Sequence, residues 1–213
     1  MTTIIDIHTH RLDADGALIS LDPRRFDPQP GRCYSVGFHP WQDLEHLPPA
    51  DYELLASCAL HPQVLAIGET GLDRRRGAPL ALQQEAFVRH LELAHRLGKP
   101  VVAHCVKAAQ DILAARHGAG LDGVRLIIHG IRGNEHVARA LLDAGCYLSF
   151  GHQFNVAALQ VTPLDRLLIE TDDATHVTIH DVAAALAQSL ALPVHDIVGH
   201  VTANARRLLF AGR

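Results

Sequence analysis

Histidine dominates the chemistry-bearing residues of this chain: 16 of 213 positions, beside a single Trp and a single Met. Imidazole is the commonest protein metal ligand and the commonest side chain for moving protons near neutral pH, so what matters is where these residues fall. Short apolar runs end, one after another, in a residue that can bind a metal. The first closes in Asp6-Ile7-His8-Thr9-His10, a later one in Gly68-Glu69-Thr70-Gly71-Leu72-Asp73, two more in His104 and His129, and the last in Glu170-Thr171-Asp172-Asp173. A further run ends in Phe38-His39-Pro40. Side chains alternate faces along a strand, so Asp6, His8 and His10 share one, and imidazoles at i and i+2 can grip one ion.

His8, His10, Glu69, His104, His129 and Asp172 make a mixed nitrogen and oxygen donor set. Such a set suits divalent Zn, Mn, Fe, Co or Ni, and Mg less well because Mg prefers an all-oxygen shell. Six ligands are enough for two cations, and Glu69, with two oxygens, can bridge them. Paired cations acidify a shared water and stabilise the attacking and leaving oxygens of a phosphoryl transfer. Each piece alone has a bland reading: H-x-H is a weak motif, Gly68 and Gly71 can make a tight turn, a lone His104 or His129 can be a hydrogen-bonded core histidine, and Asp172 can cap a helix. Six such residues at five strand ends point to a metal site.

The elements that must position them follow from the apolar pattern. Eight runs read as strands: Thr3 to His8, Ala17 to Ser20, Cys33 to Phe38, Val64 to Gly68, Val101 to His104, Arg125 to His129, Cys146 to Phe150 and Leu167 to Glu170. Stretches of helical period alternate with them, which predicts an α/β fold with a parallel sheet, and eight strands predict a TIM-like (β/α)8 barrel as a single domain over residues 1–213. Leu80 to Leu97 is the clearest helix, with Leu80, Phe87, Leu91 and Ala94 on one face, Gly98 as a stop and Pro100 beyond it. Helices are also expected at Asp51 to Leu60, Ala108 to Arg116, Glu135 to Asp143, Asp181 to Leu190 and Ala203 to Phe210. The first two crossovers, Arg11 to Ala17 and Asp22 to Gly31, are too short or too rich in Pro for helices, so the barrel is expected to be trimmed there.

Composition excludes several classes. With 48% hydrophobic residues, 20% charged and a net charge of -4, the chain has neither a disordered composition nor an overall basic field. Aromatic residues at 5% leave no long stacking platform for nucleic acid. The four cysteines, Cys33, Cys58, Cys105 and Cys146, lack metal or disulfide spacing and are read as reduced thiols. No signal-peptide pattern opens the chain, and Val182 to Val194 is too short to span a bilayer. A cytoplasmic protein with no membrane contact and no stable protein partner is expected.

These motifs resemble the TatD family, the TatD-type deoxyribonucleases of the amidohydrolase superfamily. Asp6 to His10 looks like the family's D-x-H-x-H, Gly37 to Pro40 like G-x-H-P, and Ile67 to Asp73 like I-G-E-x-G-L-D. Gln84 to Leu97 with Pro100 and His104-Cys105 is similar to its Q-x-x-x-F helix and histidine strand, His129 to Gly133 to H-C-F-T-G, Leu167 to Asp172 to L-L-x-E-T-D, and Asn204 to Leu208 to N-A-R-x-L. The resemblance implies a two-metal hydrolytic site in which His8, His10 and Asp172 hold one cation, His104 and His129 the other, and Glu69 bridges. It further implies Asp172 as proton acceptor for the attacking water and His39 as a contact to the scissile phosphate or leaving group. Two departures stand out: Asp173-Ala174-Thr175 replaces the family's [AS]-P after the last ligand, and Gly130 replaces Cys after His129.

The function expected from all this is phosphodiester hydrolysis on DNA ends or single strands. Hydrolysis of a small phosphoester, or of a carboxylic or aminoacyl ester, is the alternative, because activating water does not choose phosphorus over carbon. A non-catalytic metal-binding barrel is a third reading, weighed against the completeness of the ligand set. Arg74, Arg75, Arg76 and Lys107 are candidate phosphate contacts, His152 and His176 candidate pocket residues, and Asp73 an acceptor holding a loop or an arginine.

Overall fold

Short runs of Val, Ile and Leu form eight strands: β1 (Asp6–Thr9), β2 (Ala17–Leu21), β3 (Cys33–Val36), β4 (Val64–Asp73), β5 (Val101–Val106), β6 (Leu126–Ile128), β7 (Tyr147–Phe150) and β8 (Leu167–Ile169). In this computed structural model, which describes residues 3–210, they follow one another in chain order and close into a parallel barrel. This is the (β/α)8 architecture expected. Residues 1–2 and 211–213 of the expected domain span lie outside the described residues. Among the described residues seven α-helices accompany the strands: α1 (Pro49–Ala59), α2 (Leu80–Leu97), α3 (Ala109–Gly118), α4 (Glu135–Asp143), α5 (Val156–Gln160), α6 (Ile179–Leu190) and α7 (Val194–Leu209). No α-helix lies between β1 and β2, and only a single 3-10 turn, Pro23–Arg25, lies between β2 and β3, so the early crossovers are as short as expected.

The chain divides into two compact parts, Met1–Ile19 with Ile127–Arg213, and Ser20–Leu126. In the central part, β4 is ten residues long and buried throughout. It does not stop at Gly68, as expected, but pairs with β5 as far as Asp73, with Gly71 opposite His104. The physical reason is Gly71: at φ 132°, a Cβ there would lie 2.2 Å from the His104 carbonyl oxygen, so only glycine lets the two backbones continue side by side. Glu69 is therefore a strand residue. Helix α2 packs Phe87, Leu91 and Ala94 inward, as its period predicts, and ends on Gly98 in the left-handed conformation.

In the terminal part, β1 pairs with both β2 and β8, and β7 with β6 and β8, around a core that includes Ile7, Leu18, Ile127, Leu148 and Phe150. Two helices start earlier than expected. A capping box between Thr178 and Asp181 sets the first residue of α6 at Ile179, and Pro193 precedes α7 at Val194. Ile197, Val201, Ala205 and Leu208 form the buried stripe of α7. The five-residue α5, capped by Asn155, was not expected. Among the described residues no single helix is long and apolar enough to cross a membrane.

Candidate metal centre

Parallel barrels build their sites from the carboxyl ends of strands, and the expected ligands sit there in both parts. In the terminal part, the ends of β1 and β8 are locked by a set of bonds that ignores sequence distance. Asp172 N–H donates to the His8 carbonyl at 2.9 Å, and His10 N–H to the Asp172 carbonyl at 3.1 Å. Asp6 accepts from the Thr171 hydroxyl at 2.6 Å and from its N–H at 3.1 Å. Burial pushes the Asp6 carboxyl up to about 6 even though these hydrogen bonds favour its charged form. Asp6 is thus a tie between strands, beside the candidate ligands His8 and His10.

That locking sets the side chains. Asp172 Oδ1 lies 3.6 Å from His8 Nε2 and 3.5 Å from His10 Nε2, and the ligand atoms of the three residues all fall within 4.8 Å of one another. Asp172 holds a left-handed backbone, φ 51°, uncommon for a residue with a side chain and typical of sites where the fold dictates one side-chain direction. The His129 ring lies 4.2 Å from that of His8, and its Nδ1 is 3.3 Å from Glu170 Oε1. With Nδ1 directed at a carboxylate, Nε2 is the atom left to coordinate. Glu170 was not expected as a site residue. It is fully buried, its Oε2 has no hydrogen-bond partner among the described residues, and it clusters with His129 and Asp172. A buried carboxylate oxygen without a donor is costly unless a cation is near, so this donor set fits a divalent metal.

The central part holds a second cluster, His39, Glu69 and His104. Glu69 Oε1 lies 2.9 Å from His39 Nε2 and 3.0 Å from His104 Nδ1. The other nitrogen of His104, Nε2, faces Asp73 Oδ2 at 3.3 Å. A carboxylate behind a histidine fixes ring orientation and leaves the opposite nitrogen for a ligand, which is the arrangement of metal-binding histidines. Asp73 also accepts from Trp41 Nε1 at 2.7 Å and from the backbone N–H groups of Arg75 and Arg76. Burial works to raise its pKa, but the donors, with Arg75 N–H foremost, outweigh it and hold the carboxyl below the usual range. His39 Nδ1 accepts the Trp41 N–H at 3.1 Å, which places the proton of the neutral ring on Nε2.

Two residues of α2 hold this cluster from behind. Gln83, one position before the expected start of the Q-x-x-x-F match, is buried; it accepts the Asp73 N–H at 2.7 Å and donates to the carbonyls of Asp73, Arg76 and Ala78. His90 accepts the Phe38 N–H through Nε2, one residue before His39.

Among the candidate phosphate contacts, Arg74 is committed to Asp111 in a bidentate pair at 2.6 Å, and Arg76 lies with its guanidinium 4.0 Å over the Trp41 ring. Arg75 and Lys107 are exposed. His152 and His176 pack edge to face on each other at 5.0 Å, outside every cluster of three ligands found among the described residues.

Comparison with known proteins gives a consistent picture. The family model described as TatD related DNase matches residues 27–210. The chain is 32% identical over 196 residues to the "Uncharacterized metal-dependent hydrolase YcfH" of Escherichia coli K12, covering 82% of this chain and 72% of that protein. It is 36% identical over 152 residues to the "3'-5' ssDNA/RNA exonuclease TatD" of Cronobacter turicensis, covering 66% of this chain and 57% of that protein. Among solved structures, the TatD homologue YJJV of Escherichia coli K12 superposes with a TM-score of 0.83 at 20% identity over 98% of both chains, a likeness of fold.

Proposed function

We propose that this chain, which belongs to the TatD related DNase family of metal-dependent hydrolases, cleaves phosphodiester bonds in single-stranded nucleic acid. The observation that carries the reading is the pair of mixed imidazole and carboxylate clusters at strand ends, His8 with His10 and Asp172, and His39 with Glu69 and His104, each with its ligand atoms within 4.8 Å. Two similar proteins named as ssDNA/RNA exonucleases support nucleic acid as the substrate.

His8, His10, Glu69, His104, His129 and Asp172 are the proposed metal-holding residues. Divalent cations held there supply an acidified water and offset the charge of phosphoryl oxygens. Asp172, with one oxygen between two imidazole nitrogens, accepts the proton given up by the attacking water. His39, whose Nδ1 is occupied by the Trp41 N–H, carries its proton on Nε2, 2.9 Å from Glu69 Oε1, and would share that donor between Glu69 and the phosphate or the departing oxygen. Asp73 and Glu170 each hold one nitrogen of a ligand histidine, so that ring direction is set before substrate arrives.

The test is cleavage of a single-stranded oligonucleotide by EDTA-stripped protein given Mn2+ or Mg2+, beside D172N. Metal-restored cleavage that the variant lacks is the expected result. Failure to cut with any divalent ion, while a small phosphoester or carboxylic ester is turned over, would replace this reading with the small-ester alternative.

A further inference from the structure

Trp41 is the only tryptophan in the chain, and 43% of it is exposed although it lies at the edge of the His39–Glu69–His104 cluster. Its ring centroid is 4.7 Å from that of His39 and 5.3 Å from that of His104, both edge to face. The indole is not loose: Nε1–H donates to Asp73 Oδ2 at 2.7 Å. Arg76 covers it with a guanidinium 4.0 Å from the ring centroid, and that arginine is itself exposed.

The backbone beneath this pair is fixed as firmly as the rings. Asp73 accepts the Arg76 N–H, Gln83 takes the Arg76 and Ala78 carbonyls, and Ala78 N–H donates to the Pro40 carbonyl at 3.2 Å. Gly77 packs so closely that a Cβ would lie 2.2 Å from the Pro40 oxygen. An arginine and the lone tryptophan are thus held in register, beside the candidate chemistry, with a large planar surface left in solvent. Burial alone does not explain that arrangement, since an exposed indole forgoes the stabilisation that would come from packing it.

We propose that Trp41 and Arg76 form a nucleobase subsite, which receives the base of the nucleotide whose phosphodiester is cut. The inference rests on the nuclease reading above and names the part of the substrate that the reading leaves open. An indole stacks on any base through its π-face, so a base entering here takes the place that the exposed Arg76 side chain holds 4.0 Å above the ring, and the displaced guanidinium turns its charge to the adjoining phosphate. The subsite gives affinity without sequence preference, because every base has such a face. A base seated there leaves its own sugar and phosphate directed at His39, one ring contact away.

The single tryptophan makes the test direct. In metal-loaded protein, Trp41 fluorescence is titrated with dAMP and, separately, with 2-deoxyribose 5-phosphate, which carries the same phosphate and no base. Saturable quenching by dAMP alone is expected, with R76Q, an exposed change that keeps the fluorophore, weakening it about tenfold. A second arm compares cleavage of an ordinary oligonucleotide with one whose 3'-terminal nucleotide is abasic; kcat/KM is expected to fall about tenfold without the base, and W41L to erase that difference. Equal fluorescence responses to the two phosphates, or equal cleavage of the two oligonucleotides, would overturn the subsite while leaving the nuclease intact. Base-selective quenching by a protein that cuts neither oligonucleotide would leave the subsite standing and remove the nuclease reading.

Discussion

His90 accepts the backbone N–H of Phe38 at 3.0 Å, tying the middle of α2 to the residue that precedes His39. Its other nitrogen donates to the Ala86 carbonyl at 2.6 Å, so the ring is neutral with its proton on Nδ1. Full burial pushes its pKa down to about 4. An unfolded chain protonates the same ring near pH 6.5, so between those values the unfolded state binds more protons and stability falls as pH falls. Over that window this group removes about 3 kcal/mol. The measurement is urea unfolding of wild type and H90L from pH 7.5 to 4, where other titrating groups cancel in the difference. The wild-type advantage is expected at pH 7.5 and is expected to shrink toward pH 4; a gap constant across the range would refute the buried neutral imidazole.

Asp73→Asn isolates the carboxylate behind His104. Asparagine retains an oxygen for the Trp41 donor but loses the charge that faces His104 Nε2 at 3.3 Å. Metal affinity, read by chelator competition, is expected to drop roughly 10- to 100-fold. Unchanged affinity would reduce Asp73 to an anchor for the Arg75 and Arg76 backbone.

Metal removal should cost stability as well as activity. A ligand that binds only the folded chain stabilises it by about 2.7 kcal/mol at a hundred times its Kd, which corresponds to roughly 5–10 °C in Tm for a chain of this size. Thermal melts with Mn2+ and with EDTA should differ by about that much, and H8A should abolish most of the difference. Identical melts would exclude a folded-state metal site of that affinity.

Gly71→Ala tests the close approach of β4 and β5. The new Cβ would sit 2.2 Å from the His104 oxygen on a backbone of positive φ, and a loss of more than about 2 kcal/mol is expected. Gly123, with nothing within 4 Å of a Cβ, is the control whose alanine variant should melt near wild type.

Much of this molecule was legible in its sequence because the period of each apolar run is short and its punctuation clear. All eight strands and α2, with its Gly98 stop, follow from local pattern. His8, His10 and Asp172 come together because strand ends meet on one rim in a parallel barrel, a rule that needs no coordinates. What escaped depends on backbone register. The extension of β4 to Asp73 is set by Gly71 lying against β5, and Gly71 reads equally well as a turn. Glu170 reads as the last residue of a strand until its carboxylate is seen behind His129. The early start of α7 did have a signal, the four-residue spacing of Ile197, Val201 and Ala205, masked by Gly199 inside the helix. Trp41 had none, since a lone aromatic after His-Pro shows neither exposure nor its arginine.

The Thr171 hydroxyl closes on Asp6 across 165 positions of chain. During synthesis at about 5–20 residues per second, β1 with His8, and His10 just after it, leave the ribosome roughly 8 to 30 seconds before that partner exists. Through that interval His8 and His10 are exposed as a bare H-x-H pair, a form with only nitrogen donors and no carboxylate to discriminate among ions. Under the proposed function, the carboxylate that would discriminate among cations therefore joins the site only after Asp172 has been made.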